Sequence, residues 1–246
     1  MKPAKNDLYD RFGHLVETRE VELDFINMDS IELKDKHLYL PYIKADHPVY
    51  SPWLEPEFEK NLVLAKHGLL SSAKLTFLTQ LLKNIAHWDG EIWECGVLNG
   101  STARMLSDIC PYSTMRLFDT FNGLAGCSEN DILQNGDFQG ATMRDVQALL
   151  PNAHIYAGEI PDTFKFIPSY SHIVFAHIDL DIYKPTLDAL EAVYPRMHSG
   201  YIVIDDYGNW ATPGVKKAVD EFFADKMEVI ITQVTSQALI IKGHKL

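Results

Sequence analysis

Met227-Glu-Val-Ile-Ile-Thr-Gln-Val234 and Ala238-Leu-Ile-Ile-Lys242 read as two strands, with only Thr235-Ser-Gln237 between them. Three residues cannot carry a crossover, so the two strands must run antiparallel. Upstream the pattern differs. Strand-like apolar runs at Glu91–Val97, Met115–Phe121, Ala153–Ala157, His172–Ile178 and Gly200–Ile204 alternate with helix-like runs at Thr102–Ile109, Thr142–Leu150, Pro185–Tyr194 and Gly214–Phe223. Such alternation implies a parallel sheet covered by helices on both faces. The C-terminal hairpin therefore decides the fold: α/β, seven strands, mostly parallel, closed by an antiparallel pair. Plain dinucleotide-binding folds lack that final reversal.

Ahead of the first strand, Leu75, Phe77, Leu78, Leu81, Leu82 and Ile85 recur at helical spacing between a Ser71-Ser72 cap signal and Asp89-Gly90. Residues 1–68 read as an irregular arm, because Pro41, Pro48, Pro52 and Pro56 are too closely spaced for a long helix. The arm is rich in aromatics, and the expectation is a lid or an oligomer contact, or else a meander packed on the domain at 69–246. With 246 residues, 46% hydrophobic, and a net charge of −12, the chain reads as a globular protein whose main partner is not nucleic acid. Cys95, Cys110 and Cys127 have no metal-binding spacing and read as reduced thiols of a cytoplasmic protein. No apolar stretch approaches membrane-spanning length.

Ligands of open α/β sheets bind beyond the carboxyl ends of the strands, and the unusual polar residues of this chain collect there. The first strand ends in Glu94-Cys-Gly96-Val-Leu-Asn99-Gly100-Ser101, where glycines let a cofactor approach the backbone and a helix N-terminus offers free N–H groups. The spacing is not the Gly-x-Gly-x-x-Gly of nicotinamide enzymes. The second strand ends in Asp119, placed either to accept both ribose hydroxyls of a nucleoside or to cap the next turn. Two later strands end in His177-Ile-Asp179-Leu-Asp181 and Ile204-Asp205-Asp206-Tyr207. Four carboxylates at the mouth of one sheet repel one another unless something positive sits between them, and a divalent metal is the expected occupant. His177 is a core histidine or a polar contact to that site. Asp181 has the alternative of capping the helix near Pro185, Asp206 that of a solvated turn, and Trp210 that of an acceptor-pocket wall.

In order along the chain, Glu94-Cys-Gly-Val-Leu-Asn-Gly100, Phe118-Asp-Thr-Phe-Asn-Gly-Leu124, Ala157-Gly-Glu-Ile-Pro-Asp-Thr-Phe164, His177-Ile-Asp-Leu-Asp-Ile-Tyr-Lys-Pro-Thr186 and Tyr201-Ile-Val-Ile-Asp-Asp-Tyr-Gly208 resemble five segments of the macrocin O-methyltransferase family. The resemblance runs from about Ser71 to Phe223. It implies a class I methyltransferase (Rossmann-like) fold, S-adenosylmethionine and Mg²⁺ as cofactors, and a small-molecule hydroxyl acceptor, often a sugar moiety of a natural product. Carried over by motif, the cofactor contacts are Glu94, Gly96, Asn99, Gly100, Ser101, Asp119, Thr120, Phe121, Gly158 and Glu159. The metal ligands are Asp179, Asp205 and Asp206, and the base is Asp179 or Asp181. Leu180 and Lys184-Pro185 depart from the family pattern, which bears on the acceptor pocket. Acceptor choice falls to the arm and to the loop Ala125–Phe138. Two competing readings are a nucleotide-sugar glycosyltransferase built on Asp179-Leu-Asp181, which leaves Asp205-Asp206 and the hairpin unexplained, and a cofactor-binding protein that no longer catalyses.

Overall fold

The computed structural model describes residues 58–243. The chain divides into Met1–Leu54 and Glu55–Leu246, and every described residue belongs to the second part. Most of the expected arm, with its lid or oligomer role, lies outside the described residues. Its last stretch is not irregular, however: α1 spans Phe58–Ala65. The elements that follow are α2 (Ser72–Ile85), β1 (Glu91–Cys95), α3 (Ser101–Ile109), β2 (Thr114–Asp119), α4 (Met143–Leu149), β3 (His154–Ala157), a 3-10 turn at Asp162–Phe166, β4 (Ile173–Ile178), α5 (Tyr183–Arg196), β5 (Gly200–Ile204), α6 (Pro213–Phe223), β6 (Ile231–Thr232) and β7 (Ala238–Lys242).

The sheet has seven strands in the order β3-β2-β1-β4-β5-β7-β6. The first five are parallel, whereas β7 runs antiparallel to both β5 and β6. The hairpin is thus present, but β6 is shorter than its sequence pattern predicts. Met227, Val229, Ile231 and Val234 are all exposed, so this edge gains little from burial and only two residues pair. Strand order reverses between β1 and β4, and the crevice above that reversal is where such sheets bind ligands.

Alternation along the strands sorts the core into two layers. Ile92, Leu117, Phe175 and Val203 meet Leu75, Leu78, Leu82 and Leu106 of α2 and α3. On the other face Trp93, Phe118, Ile178, Ile202 and Ile204 meet Leu190 and Val193 of α5 and Val219 of α6. The α1 helix is tied on by Asn61, whose buried amide donates to Thr79 Oγ1 at 3.1 Å and Thr76 Oγ1 at 3.4 Å. Leu64 and Ala65 at the end of the helix pack against the core, and Leu64 O accepts Ser101 Oγ at 2.8 Å.

One polar network holds the amino end of the sheet. Arg116 donates to both Glu91 oxygens at 2.8 and 2.7 Å and to Tyr156 Oη at 2.6 Å, while Trp93 Nε1 reaches Glu91 Oε2 at 2.8 Å. Burial alone would raise the Glu91 carboxyl, but the bonds from Arg116 and Trp93 hold it below its usual range. A carboxyl depressed in the folded state stabilises the fold above its unfolded pKa, and that contribution is lost as pH falls through the folded value. Arg116→Met is therefore expected to lower stability in denaturant titrations by about 2 kcal/mol at pH 7, less than for a fully buried pair. The gap to the unaltered chain should narrow in acid, below the usual carboxyl range.

Candidate active site

The site is built where β4 and β5 end side by side. The ladder continues one residue past each strand, with Asp179 N donating to Cys95 O and Asp205 N donating to Ile178 O, both at 2.8 Å. Parity then decides direction. Asp205 lies two residues beyond Val203, and Asp179 four beyond Phe175; both carboxylates fall on the α2 face of the sheet. Asp206 follows in a left-handed conformation with φ 56°, and Asp181 does likewise with φ 62°. The turn of the C-terminal hairpin supports the cluster from below, since Ser236 Oγ donates to Asp206 Oδ1 at 3.2 Å.

Asp179 stands close to β1 only because residue 96 is glycine. A Cβ there would lie 1.7 Å from the Asp179 carbonyl oxygen, and φ is +89°. Gly96 thus makes room for the β4 terminus as much as for any cofactor. At position 100, with φ +79°, glycine forms the left-handed N-cap of α3.

The positive charge between the carboxylates is an ammonium. Lys74, in the first turn of α2, places Nζ 2.6 Å from Asp205 Oδ2 and 2.6 Å from Asp206 Oδ1. Burial opposes its charge, but Asp205 and Asp206 outweigh burial and hold the lysine protonated. Asp206 is correspondingly lowered, the Lys74 pairing overcoming burial. Asp205 stays raised because burial exceeds what Lys74 returns. Asp179 is raised well above the carboxylate range by burial and then by Asp205. Burial, and next Asp206, push Asp181 up to about 8. Asp181 and Asp206 interact directly, which raises the Asp181 carboxyl and lowers that of Asp206. Sequence reasoning missed Lys74. Its one signal is a lone lysine at the N-terminal end of a helix, where the dipole disfavours a cation.

Ligand atoms of Asp179, Asp205 and Asp206 lie within 4.8 Å of one another. Asp205 is 3% exposed, and its Oδ1 has no hydrogen-bond partner. A hard oxygen set with one buried, unpartnered oxygen fits a divalent cation such as Mg²⁺. The solvated-turn alternative for Asp206 fails, since Asp206 is an ion-pair partner. The cap alternative for Asp181 fails too: Asp131 Oδ1 accepts Tyr183 N at 2.7 Å at the start of α5. Asp131 also packs against Gly214 in α6, so it fastens the loop after β2 to the N-termini of two helices.

Several expected cofactor contacts have structural partners. Asp119 Oδ2 accepts Val97 N and Leu98 N at 2.7 and 2.8 Å, and Oδ1 accepts Phe121 N at 2.7 Å. A carboxylate has about four lone-pair sites, so these three bonds leave acceptor capacity on Asp119. Asn99 donates to His67 O and accepts Ser101 N, while Ser101 Oγ donates to Leu64 O. Through these two residues the end of α1 and the connection after it are bound to the start of α3. Glu94 is buried in β1, 3.3 Å from His177 Nδ1, and both side chains are essentially inaccessible; His177 is thus a core residue with a polar partner. Thr120 Oγ1 closes the turn onto Gly123 O at 2.6 Å. Phe121 adopts φ +55° and Gly158 φ +144°, while Glu159 is exposed at the end of β3. Asp119, Phe121, Gly158 and Glu159 thus border the carboxyl ends of β2 and β3.

Gly96→Ala is expected to push the β4 terminus away and cost about 2 kcal/mol or more, with loss of S-adenosylmethionine binding by calorimetry. A variant as stable as the unaltered chain would contradict the close approach.

The chain is 23% identical over 181 residues to demethyldecarbamoylnovobiocin O-methyltransferase of Streptomyces niveus, covering 64% of this chain and 68% of that one. Among solved structures, the O-methyltransferase NovP superposes with a TM-score of 0.63 at 22% identity, over 72% of this chain and 83% of that one. The calicheamicin methyltransferase CalS11 gives 0.62 at 20% identity, over 81% and 88%. Both likenesses show the class I methyltransferase fold. A family model for macrocin-O-methyltransferase (TylF) matches residues 62–240, which takes in all five motif segments and the acidic cluster. The chain belongs to the macrocin-O-methyltransferase family and is an S-adenosylmethionine-dependent O-methyltransferase.

Proposed function

We propose that this enzyme is Mg²⁺-dependent and methylates a hydroxyl of a small molecule, a sugar moiety of a natural product or glycan. The observation that carries the proposal is the convergence of Asp179, Asp205 and Asp206 at the ends of two adjacent strands, with Asp205 Oδ1 buried and unpartnered. These three would hold the ion. When bound, such an ion acidifies an acceptor hydroxyl and fixes its oxygen. Asp181 stands outside the trio but is hydrogen-bonded to one of its members, and it is the base in this reading. The acceptor O–H proton passes to the Asp181 carboxylate, and the oxygen attacks the sulfonium methyl in line. The carbon–sulfur bond breaks, its electron pair returns to sulfur, and S-adenosylhomocysteine leaves. Asp119 and the turn at 96–101 position the nucleoside, and Glu159 borders its adenine.

The names of the relatives support a natural-product acceptor: one acts in the novobiocin series and another is a calicheamicin methyltransferase. The loop held by Asp131, together with Trp210, which is 67% exposed, would form the acceptor wall. A reduced, cytoplasmic setting and a partner that is neither nucleic acid nor membrane belong to the same proposal. Three free cysteines and a net charge of −12 support it. No helix among the described residues is long and apolar enough to cross a membrane.

Labelled S-adenosylmethionine offered with a panel of glycosylated and nucleotide-linked sugars is expected to give methyl transfer that chelator stops and Mg²⁺ restores. Asp205→Asn should reduce turnover by about 10³-fold or more while cofactor affinity stays within a few-fold. Full activity in chelator would remove the metal from the mechanism. Asp131→Ala is expected to raise the acceptor KM more than the KM for S-adenosylmethionine, because in this reading the loop it fastens to α5 lines the acceptor pocket.

A further inference from the structure

Lys74 is the feature of the site that the reaction does not use. Its ammonium touches two of the three carboxylates that would hold the ion, at 2.6 Å each. Its position has no rationale in α2 itself, since a cation in the first helical turn opposes the dipole and no acidic residue sits there to offset it. Leu75, the next residue, is buried in the core, so the backbone from which Lys74 reaches the cluster is fixed. The side chain is 15% exposed, leaving it a path towards solvent. Two cations cannot share the same lone pairs of Asp205 and Asp206 at contact distance without strong repulsion.

We propose that Lys74 is a built-in counter-ion that competes with the divalent cation for Asp205 and Asp206. It holds the acidic cluster together before metal loading and swings off when the metal arrives. This inference rests on the divalent-cation reading above and adds to it. The lysine sets how much free metal the enzyme needs, and metal loading releases a cationic side chain at the start of α2. Removing the ammonium should therefore act in opposite directions on the two states: the metal-free protein loses its internal neutralisation, while the ion meets a more negative, uncontested site.

The full chain, Lys74→Met and Lys74→Arg would be titrated with Mn²⁺ alone, following free ion by electron paramagnetic resonance. Lys74→Met is expected to bind Mn²⁺ at least about tenfold more tightly than the unaltered chain. Without metal it should melt at a lower temperature, and saturating Mn²⁺ should close that gap. Lys74→Arg keeps the charge and should bind like the unaltered chain. Equal or weaker binding by Lys74→Met, while the unaltered chain binds, would overturn the inference and leave the metal reading intact. No binding by any of the three would sink the metal reading itself, and this inference with it. Should Lys74→Met not fold, the unaltered chain still decides the matter through its Lys74 ε-carbon resonance, assigned by its loss in Lys74→Arg. Diamagnetic Mg²⁺ is expected to move it to the position of a solvated lysine, and a resonance that stays put at saturation would contradict competition.

Discussion

Like charges held at the ends of two adjacent strands constrain everything else in this structure. Asp179, Asp181, Asp205 and Asp206 lie at the carboxyl ends of β4 and β5, and a single ammonium, Lys74, bridges two of them. Burial raises the cost of every uncompensated charge, so Asp179, Asp181 and Asp205 are pushed above the ordinary carboxyl range, while Lys74 holds Asp206 below it. The fold provides the rigidity this requires. β4 is buried along its whole length, β5 is flanked by β4 and β7, and the hairpin turn returns Ser236 to Asp206. The antiparallel reversal that ends the sheet also braces the site.

The cofactor side is organised by backbone more than by side chains. Asp119 draws the β1 turn and the β2 turn together through three N–H bonds, and Gly96 lets the β4 terminus touch that turn. The turn after β1 and the acidic cluster are therefore one connected piece, joined across the point where strand order reverses. A change at Gly96 should be felt on both sides.

The parallel strands, the hairpin and the acidic strand ends were legible in the sequence because each follows from local pattern: continuous apolar runs, a three-residue linker, and carboxylates where those runs stop. What was illegible depended on distant partners. Lys74 reaches Asp205 across 131 positions of chain, and Asp131 caps α5 from 52 positions away. Asp131 has no local signature, and that of Lys74 is no more than a cation set against a helix dipole. The α1 helix is tied on by bonds to Thr76, Thr79 and Ser101, all distant in the chain, and β6 is shorter than its pattern suggests because alternation of apolar residues says nothing about whether a neighbour covers them. Asn99 and Ser101 show a different limit. Motif position placed them at the turn after β1, but it could not show that Leu64 at the end of α1 and His67 beyond it accept their side-chain hydrogen bonds.

The account is tested most directly by a crystal structure of the full chain grown with Mn²⁺ and S-adenosylhomocysteine, with data collected at the manganese edge. The expected result is one anomalous peak bounded by Asp179, Asp205 and Asp206, with the Lys74 ammonium moved away from both carboxylates. Nucleoside density over the turn at 96–101, with Lys74 still bridging Asp205 and Asp206 and no anomalous signal between them, would contradict it.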